Sequence, residues 1–407
     1  MRWKFRNKND EQETATRNAW LQRIDAWWAE FGRQNKAIDA YFNGRGQFDL
    51  PTWMSEHLHA IDDRIMWEYG PADAGEGHRL VLTCESRHHQ RPLIDVVLAR
   101  APKLPGWEFH PYRPAAEAAD AIEIVQSRVG VDISDYQLQV RRNEYHQVDL
   151  CFYSTSIPND EDDAAHHAAF VATEAILGEK QLGKWVGAIE AKSLKKGWAS
   201  KLLGRESAAP KGLIALARMR PTVAALIASI REQLPATPRV ALSDDLEYTL
   251  WKLQPTPADD YAGRQDLLTA TSSYAPMWQA THGRSFFSER FSRVGEIFCY
   301  VKIDGAEGLD ESSFGDRDEI EDALDEALQA AQAGCVIGAG TGLLYSYIEL
   351  ALTDVNAGIL AVRRRLREGN IPRRTWVQFY DATLAAEWVG IYDETPAPPM
   401  PAEFDEA

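Results

Sequence analysis

Between Glu296 and Tyr392 the sequence changes its periodicity in an order that few folds accommodate. Glu296–Ile303 alternates, with Ile297, Cys299 and Val301 on one side. Asp316–Ala331 then carries Ile320, Leu324, Ala327, Leu328 and Ala331 at helical spacing. Cys335–Gly338 and Leu343–Leu352 are apolar strand runs, Val355–Glu368 is helical through Ile359, Val362 and Leu366, and Thr375–Tyr380 is again a strand. A period near 2 marks strands and one near 3.6 marks helices. The order strand-helix-strand-strand-helix-strand is that of a split βαβ, or ferredoxin-like, unit.

The same order can be read from Trp107 to Lys192. Trp107–Arg113 is a strand that Pro111 places at a sheet edge, Pro114–Arg128 a helix, Tyr136–Arg142 and Gln147–Ser154 strands, Ala164–Trp185 a helix and Val186–Lys192 a strand. The residues of the two halves are not alike, so the element order alone suggests a duplication. Upstream, Asn18–Tyr41 bears an apolar stripe of Trp20, Ile24, Trp27, Trp28, Phe31 and Ile38, and Pro51–Trp67 reads as a second helix, giving an N-terminal helical hairpin. Arg79–Cys84 and Leu93–Leu98 read as the strands of a β-hairpin. Residues 1–16 are polar and expected to be mobile.

The expected fold is therefore α+β: a helical hairpin over 1–70, a first α+β unit over 71–195, a helical linker region over 196–257, and a C-terminal ferredoxin-like unit over 258–392. An acidic, Pro-rich tail over 393–407 is expected to be disordered or loosely docked. In the C-terminal unit, the acidic first helix and Arg363, Arg364, Arg365 and Arg367 of the second offer pairs along neighbouring flanks. Lys195, Lys196, Lys201, Arg205 and Lys211 form a local basic patch.

Composition narrows the function. The formal net charge of −17 argues against a nucleic-acid binder and suits a basic partner. The four Cys form no CxxC pair, so no structural zinc ribbon is expected. No apolar run reaches the roughly 20 residues of a membrane span. Without a signal peptide at the start of the sequence, a reduced cytoplasmic setting is expected.

Candidate site residues are few. Gly338, Gly340, Thr341 and Gly342 lie in a Gly-rich run that could cradle a phosphate, but a strand follows it instead of a helix and no P-loop Lys is present. The run reads as a hairpin turn using positive φ, with small-ligand contact as the alternative. Asp149 with Glu190 and Lys192 resembles the carboxylate, carboxylate and Lys set of metal-dependent nucleases, although 41 residues separate the two acids. His88-His89 and His166-His167 read as surface pairs, since adjacent His point to different sides of the backbone. There is no GxSxG elbow and no local Cys signature. No metal and no cofactor is expected, and an enzyme less so than a binding protein.

The C-terminal segment, with its acidic helix, Gly-rich run, Tyr347-Ile348-Glu349-Leu350 strand, Pro372 and Phe379-Tyr380-Asp381, resembles bacterial cytoplasmic proteins of the toxin-immunity type. The middle segment Leu104-Pro105-Gly106-Trp107-Glu108-Phe109 does so too. The resemblance covers about half the chain and carries no catalytic residues. It implies a non-catalytic binding protein that neutralises a basic protein toxin. The alternatives are a small-ligand sensor binding between two ferredoxin-like units and the metal-dependent hydrolase above.

Overall fold

The computed structural model describes residues 1–73, 75–194, 210–242, 246–283, 285–305, 308–309, 311–401 and 404. The chain forms two compact units. One is discontinuous, Met1–Pro111 with Pro235–Ala407, and the other is Tyr112–Leu234. These boundaries differ from the sequence-based divisions at 70, 195 and 257.

In the discontinuous unit, α1 runs Glu11–Phe42, starting at Asp10, whose carboxylate accepts the Glu13 amide (2.9 Å). Its stripe of Ile24, Trp27, Trp28, Phe31 and Ile38 is buried as expected. The second helix, α2 (Leu50–His57), is shorter than read: Trp67 lies on a strand, β1 (Met66–Pro71), which pairs antiparallel with β2 (His78–Thr83). Leu93–Leu98 is not a strand. It belongs to α3 (Arg91–Ala99), opened by Pro92, with Leu93, Ile94 and Val97 buried at i, i+1 and i+4. Trp28 donates its indole N–H to the Val97 carbonyl (2.7 Å). The helix crosses to β3 (Trp107–His110), which lies parallel to β2 at the edge of a three-stranded sheet, β1-β2-β3.

That placement removes the strand expected to begin the first ferredoxin-like unit. The sheet of unit 112–234 is instead β6-β5-β4-β7, built from β4 (Gln137–Arg142), β5 (Val148–Ser154), β6 (Val186–Ser193) and β7 (Ile214–Ala215). Here β5 and β6 are parallel. The connection between them breaks at Gly178 (φ +78°) into α5 (Asp163–Leu177) and α6 (Glu179–Trp185). Leu138, Leu150 and Phe152 of the sheet form a core with Ala121 and Val125 of α4 (Ala118–Val129), Ala168, Ala172 and Ile176 of α5, and Met219, Val223 and Ile230 of α7 (Met219–Glu232). The basic patch lies outside the described residues except for Lys211.

The remainder of the discontinuous unit is a seven-stranded sheet, β14-β13-β10-β12-β11-β9-β8, with every neighbour pair antiparallel. Its strands are β8 (Thr249–Lys252), β9 (Leu267–Ser272), β10 (Ile297–Asp304), β11 (Gly334–Gly342), β12 (Tyr345–Leu352), β13 (Thr375–Phe379) and β14 (Trp388–Gly390). Two helices, α9 (Arg317–Ala330) and α10 (Val355–Glu368), cover one face; a short helix, α8 (Ala275–Ala280), precedes β10. Alternation sorts the strands cleanly: Val301, Ile303, Ile348, Leu350 and Val377 meet Ile320, Leu324, Ile359, Val362 and Leu366 in one core. Tyr300, Tyr345, Tyr347 and Trp376, of the opposite parity, pack with Tyr261, Leu267 and Trp278 in another.

This second layer is polar inside. Arg264 and Glu349, 7% and 1% exposed, form a 2.6 Å ion pair, and Tyr380 donates to the same Glu349 oxygen (3.2 Å). Asp266, fully buried, accepts the Leu344 and Tyr345 amides (both 2.9 Å) and the Tyr347 hydroxyl. Lys302 donates to the Tyr261 carbonyl and sits 3.9 Å from the Tyr345 ring centre; burial pushes its pKa down to about 8.

The described residues at both ends make packed contacts. Glu387 accepts the backbone N–H groups of Trp3, Lys4 and Phe5, Phe5 stacks on Phe379 (4.8 Å), and Arg2 lies over Trp388 (3.6 Å). Arg363 and Arg367 bond Asp393 (both 2.7 Å), and Trp376 donates to the Pro396 carbonyl (2.6 Å). Arg363 and Arg367 of α10 thus serve the C-terminal segment, and no ion pair joins α9 to α10 among the described residues.

Candidate functional site

The Gly-rich run is not a turn. Gly338, Gly340, Thr341 and Gly342 lie within β11, between β9 and β12, and the turn falls at Leu343-Leu344. None of these three glycines has positive φ; their requirement is room. A Cβ on Gly338 would sit 2.1 Å from the Thr271 carbonyl oxygen, and one on Gly342 would sit 2.2 Å from the Asp266 carboxylate that holds the turn.

Gly338 closes a β-bulge. Val336 faces Leu350 and Gly338 faces Glu349, so Ile337 is the extra residue. The irregularity re-aims two backbone groups. The Ile337 carbonyl accepts the Ser273 amide (2.8 Å), and the Val336 amide donates to Asp325 of α9 (2.8 Å). The acidic helix is thereby tied to the strand at the bulge, and a cavity of about 370 Å³ opens beside it.

Three carboxylates converge on this cavity: Asp318, Glu321 and Asp322, all from α9, facing Tyr248, Thr271, Val336 and Gly338. The spacing i, i+3, i+4 puts them on one helix face. Asp316 caps the helix by accepting the Glu319 amide (3.0 Å), which fixes the phase of that face. Arg317 is the only basic residue in the first turn. It bonds Glu321 (2.6 Å) and Thr341 (2.5 Å) and reaches Asp318 at 3.3 Å. Burial raises the Glu321 carboxyl above the ordinary glutamate range although Arg317 opposes it, and burial together with the Asp325 charge raises the Tyr248 hydroxyl. Tyr248 and Leu250 project at the β8 edge of the sheet, 56% and 58% exposed.

Of the sequence-derived residues, Gly338 lines the cavity and Thr341 anchors Arg317 beside it, while Gly340 and Gly342 serve packing alone. The carboxylates were visible in sequence only as an acidic helix. What selects three of them is the bulge, which no sequence pattern announced. A larger cleft of about 1020 Å³ lies where the N-terminal arm crosses β14 and α10, and it contains none of the sequence candidates. The smaller cavity is the more specific feature because like charges converge there.

In unit 112–234, Asp149, Glu190 and Lys192 lie on one face of the parallel pair β5 and β6, where Cys151 faces Glu190 and Tyr153 faces Lys192. Their contacts are local. One Asp149 oxygen accepts from the Asn143 side chain and the Ala188 amide (both 2.9 Å), bracing the irregularity in the pairing, and Glu190 pairs with Lys192 at 2.7 Å. Among the described residues, no set of three metal-ligating side chains forms there. His88 and His89 make ring contacts with Phe287 and Phe404, and His166 turns back on the Asp162 carbonyl.

Comparison of the chain with protein-family models, with curated proteins and with solved structures gives no match in any of the three.

Proposed function

We propose that this chain is a non-catalytic cytoplasmic binding protein that takes a basic segment of a protein partner into the acidic cavity of α9 and β11, in the manner of an immunity protein that neutralises a basic toxin. The observation that carries this reading is the convergence of Asp318, Glu321 and Asp322 beside the exposed Tyr248 and Leu250. An Arg or Lys side chain would enter the cavity, and the partner's main chain would run along β8, an end strand that can accept another by backbone hydrogen bonding. The strand order β13-β10-β12-β11, with both helices on one face, supports a ferredoxin-like frame for this site.

The test is fluorescence anisotropy with a labelled extended Arg/Leu peptide. Expected is salt-sensitive binding that charge reversal at Asp318 and Asp322 abolishes. Absence of binding at low salt, or binding indifferent to the reversal, would sink the proposal. A small cationic ligand is a second reading, favoured by the size of the cavity, which falls at the lower end of the usual ligand range of roughly 300–1,000 Å³. A polyamine that raises the melting temperature where the peptide does not would favour it.

A further inference from the structure

A second cluster, on the other sheet of the same unit, has the composition of a metal site. Glu108 and His110 are at i and i+2 on β3, so both side chains leave the same face of this edge strand. The loop after β1 folds Asp73 onto them: its amide donates to Glu108 Oε2 (2.9 Å). His110 Nε2 lies 3.2 Å from that Glu108 oxygen and 4.0 Å from Asp73 Oδ2. Arg79 bonds the other Asp73 oxygen, Oδ1 (2.7 Å), and so sets which oxygen faces the imidazole. The three ligand atoms lie within 4.8 Å of one another, the only such trio among the described residues.

We infer that Asp73, Glu108 and His110 bind a divalent first-row transition cation, of the zinc or manganese class. Ligand atoms on one tetrahedral or octahedral cation with bonds of about 2.0–2.2 Å stand about 2.8–3.6 Å apart. His110 Nε2 and Glu108 Oε2 already stand at that spacing, and Asp73 Oδ2, 4.0 Å from the imidazole, must move inward to reach it. Two carboxylates against one Arg leave a net negative site that attracts a cation, and an imidazole among three ligands selects a transition metal over calcium or magnesium. The side chains are between a quarter and a half exposed, so water completes the coordination. Coordination through an imidazole nitrogen requires that nitrogen to be unprotonated, so cation binding competes with protons and weakens as pH falls.

The test is calorimetric titration of the full chain with ZnCl2, MnCl2 and CaCl2, repeated on His110→Ala and Glu108→Gln. Circular dichroism of each variant checks that it is folded. Expected is one zinc or manganese site, weakened at least about tenfold in both variants. Absence of zinc and manganese binding, binding unchanged by both substitutions, or calcium binding as tight as zinc would each overturn the assignment. Visible absorption of the Co²⁺-loaded chain gives an independent reading: the bands are expected in the parent and lost in His110→Ala, and their persistence would overturn it as well.

Discussion

Arg264 and Glu349, 85 residues apart in sequence, meet at 2.6 Å inside the layer beneath the seven-stranded sheet. Neither could be held there alone. Burial disfavours each charge, and each supplies what the other needs. Arg264→Met leaves a buried carboxylate with neutral donors, the Tyr380 hydroxyl among them, but without its cation. It is expected to destabilise the discontinuous unit by about 3–5 kcal/mol, read by urea denaturation. The double change Arg264→Met/Glu349→Gln should recover much of that loss, and a double variant no better than the single one would contradict a direct pairing.

The glycines of β11 give a second expectation. Gly338→Ala and Gly342→Ala each force a Cβ against a fixed oxygen, so each should cost roughly 1–3 kcal/mol of stability. Gly338→Ala should also loosen the Asp325 tether, seen as faster hydrogen exchange at the Val336 amide. Protection equal to that of the parent would mean that the bulge does not depend on glycine.

Lys302 makes stability depend on pH. Its folded pKa of about 8 lies below the value for an exposed Lys, about 10.4. Between those values Lys302 holds more protons in the unfolded chain than in the folded one, so this residue contributes a rise in stability with pH, while the buried Cys299 and Cys335 thiols, which burial holds protonated, contribute a fall. Burial raises the hydroxyl pKa of Tyr300 to about 12, so this tyrosine titrates above the window. Lys302→Met should shift the slope of the denaturation midpoint against pH between pH 8 and 10 downward relative to the parent. A curve identical to that of the parent would show that Lys302 is not the group responsible.

The acidic cavity carries its own pH signature. On the proposed binding mode a cationic side chain is held more tightly while Glu321 is ionised, and burial raises that carboxyl above the ordinary glutamate range. Affinity for the Arg/Leu peptide should therefore fall, as pH is lowered, before an ordinary glutamate would protonate. Glu321→Gln should weaken binding at neutral pH and move the fall to lower pH. An unshifted profile would place the controlling group elsewhere.

The C-terminal strands and helices were legible because each alternates or repeats over many residues. Ile320, Leu324 and Leu328 could face nowhere but the sheet. Short apolar runs were not: Leu93–Leu98 spans barely two turns, and over that length a buried strand and a buried helix look alike. The strand at Trp107 was identified correctly and placed in the wrong sheet, because pairing with Arg79–Val81 is a long-range choice that its own residues do not encode. The acidic helix was plain, whereas the cavity beside it depends on one inserted residue at Ile337 and on where Asp325 reaches. No sequence pattern marked Glu387, on which three successive amides of residues 3–5 converge.

The interruption of one unit by the other has a consequence for how the chain is made. Trp3, Lys4 and Phe5 must wait for Glu387, some 380 residues later, before their amides are satisfied. Residues 112–234 are contiguous and emerge whole long before then. During synthesis the inserted unit can thus fold before the discontinuous unit is complete, while residues 2–5 still lack Phe379, Glu387 and Trp388, on which they rest. A ribosome stalled well beyond residue 234 but before residue 379 should expose nascent chain that protease cuts near residues 2–5 and spares within 112–194.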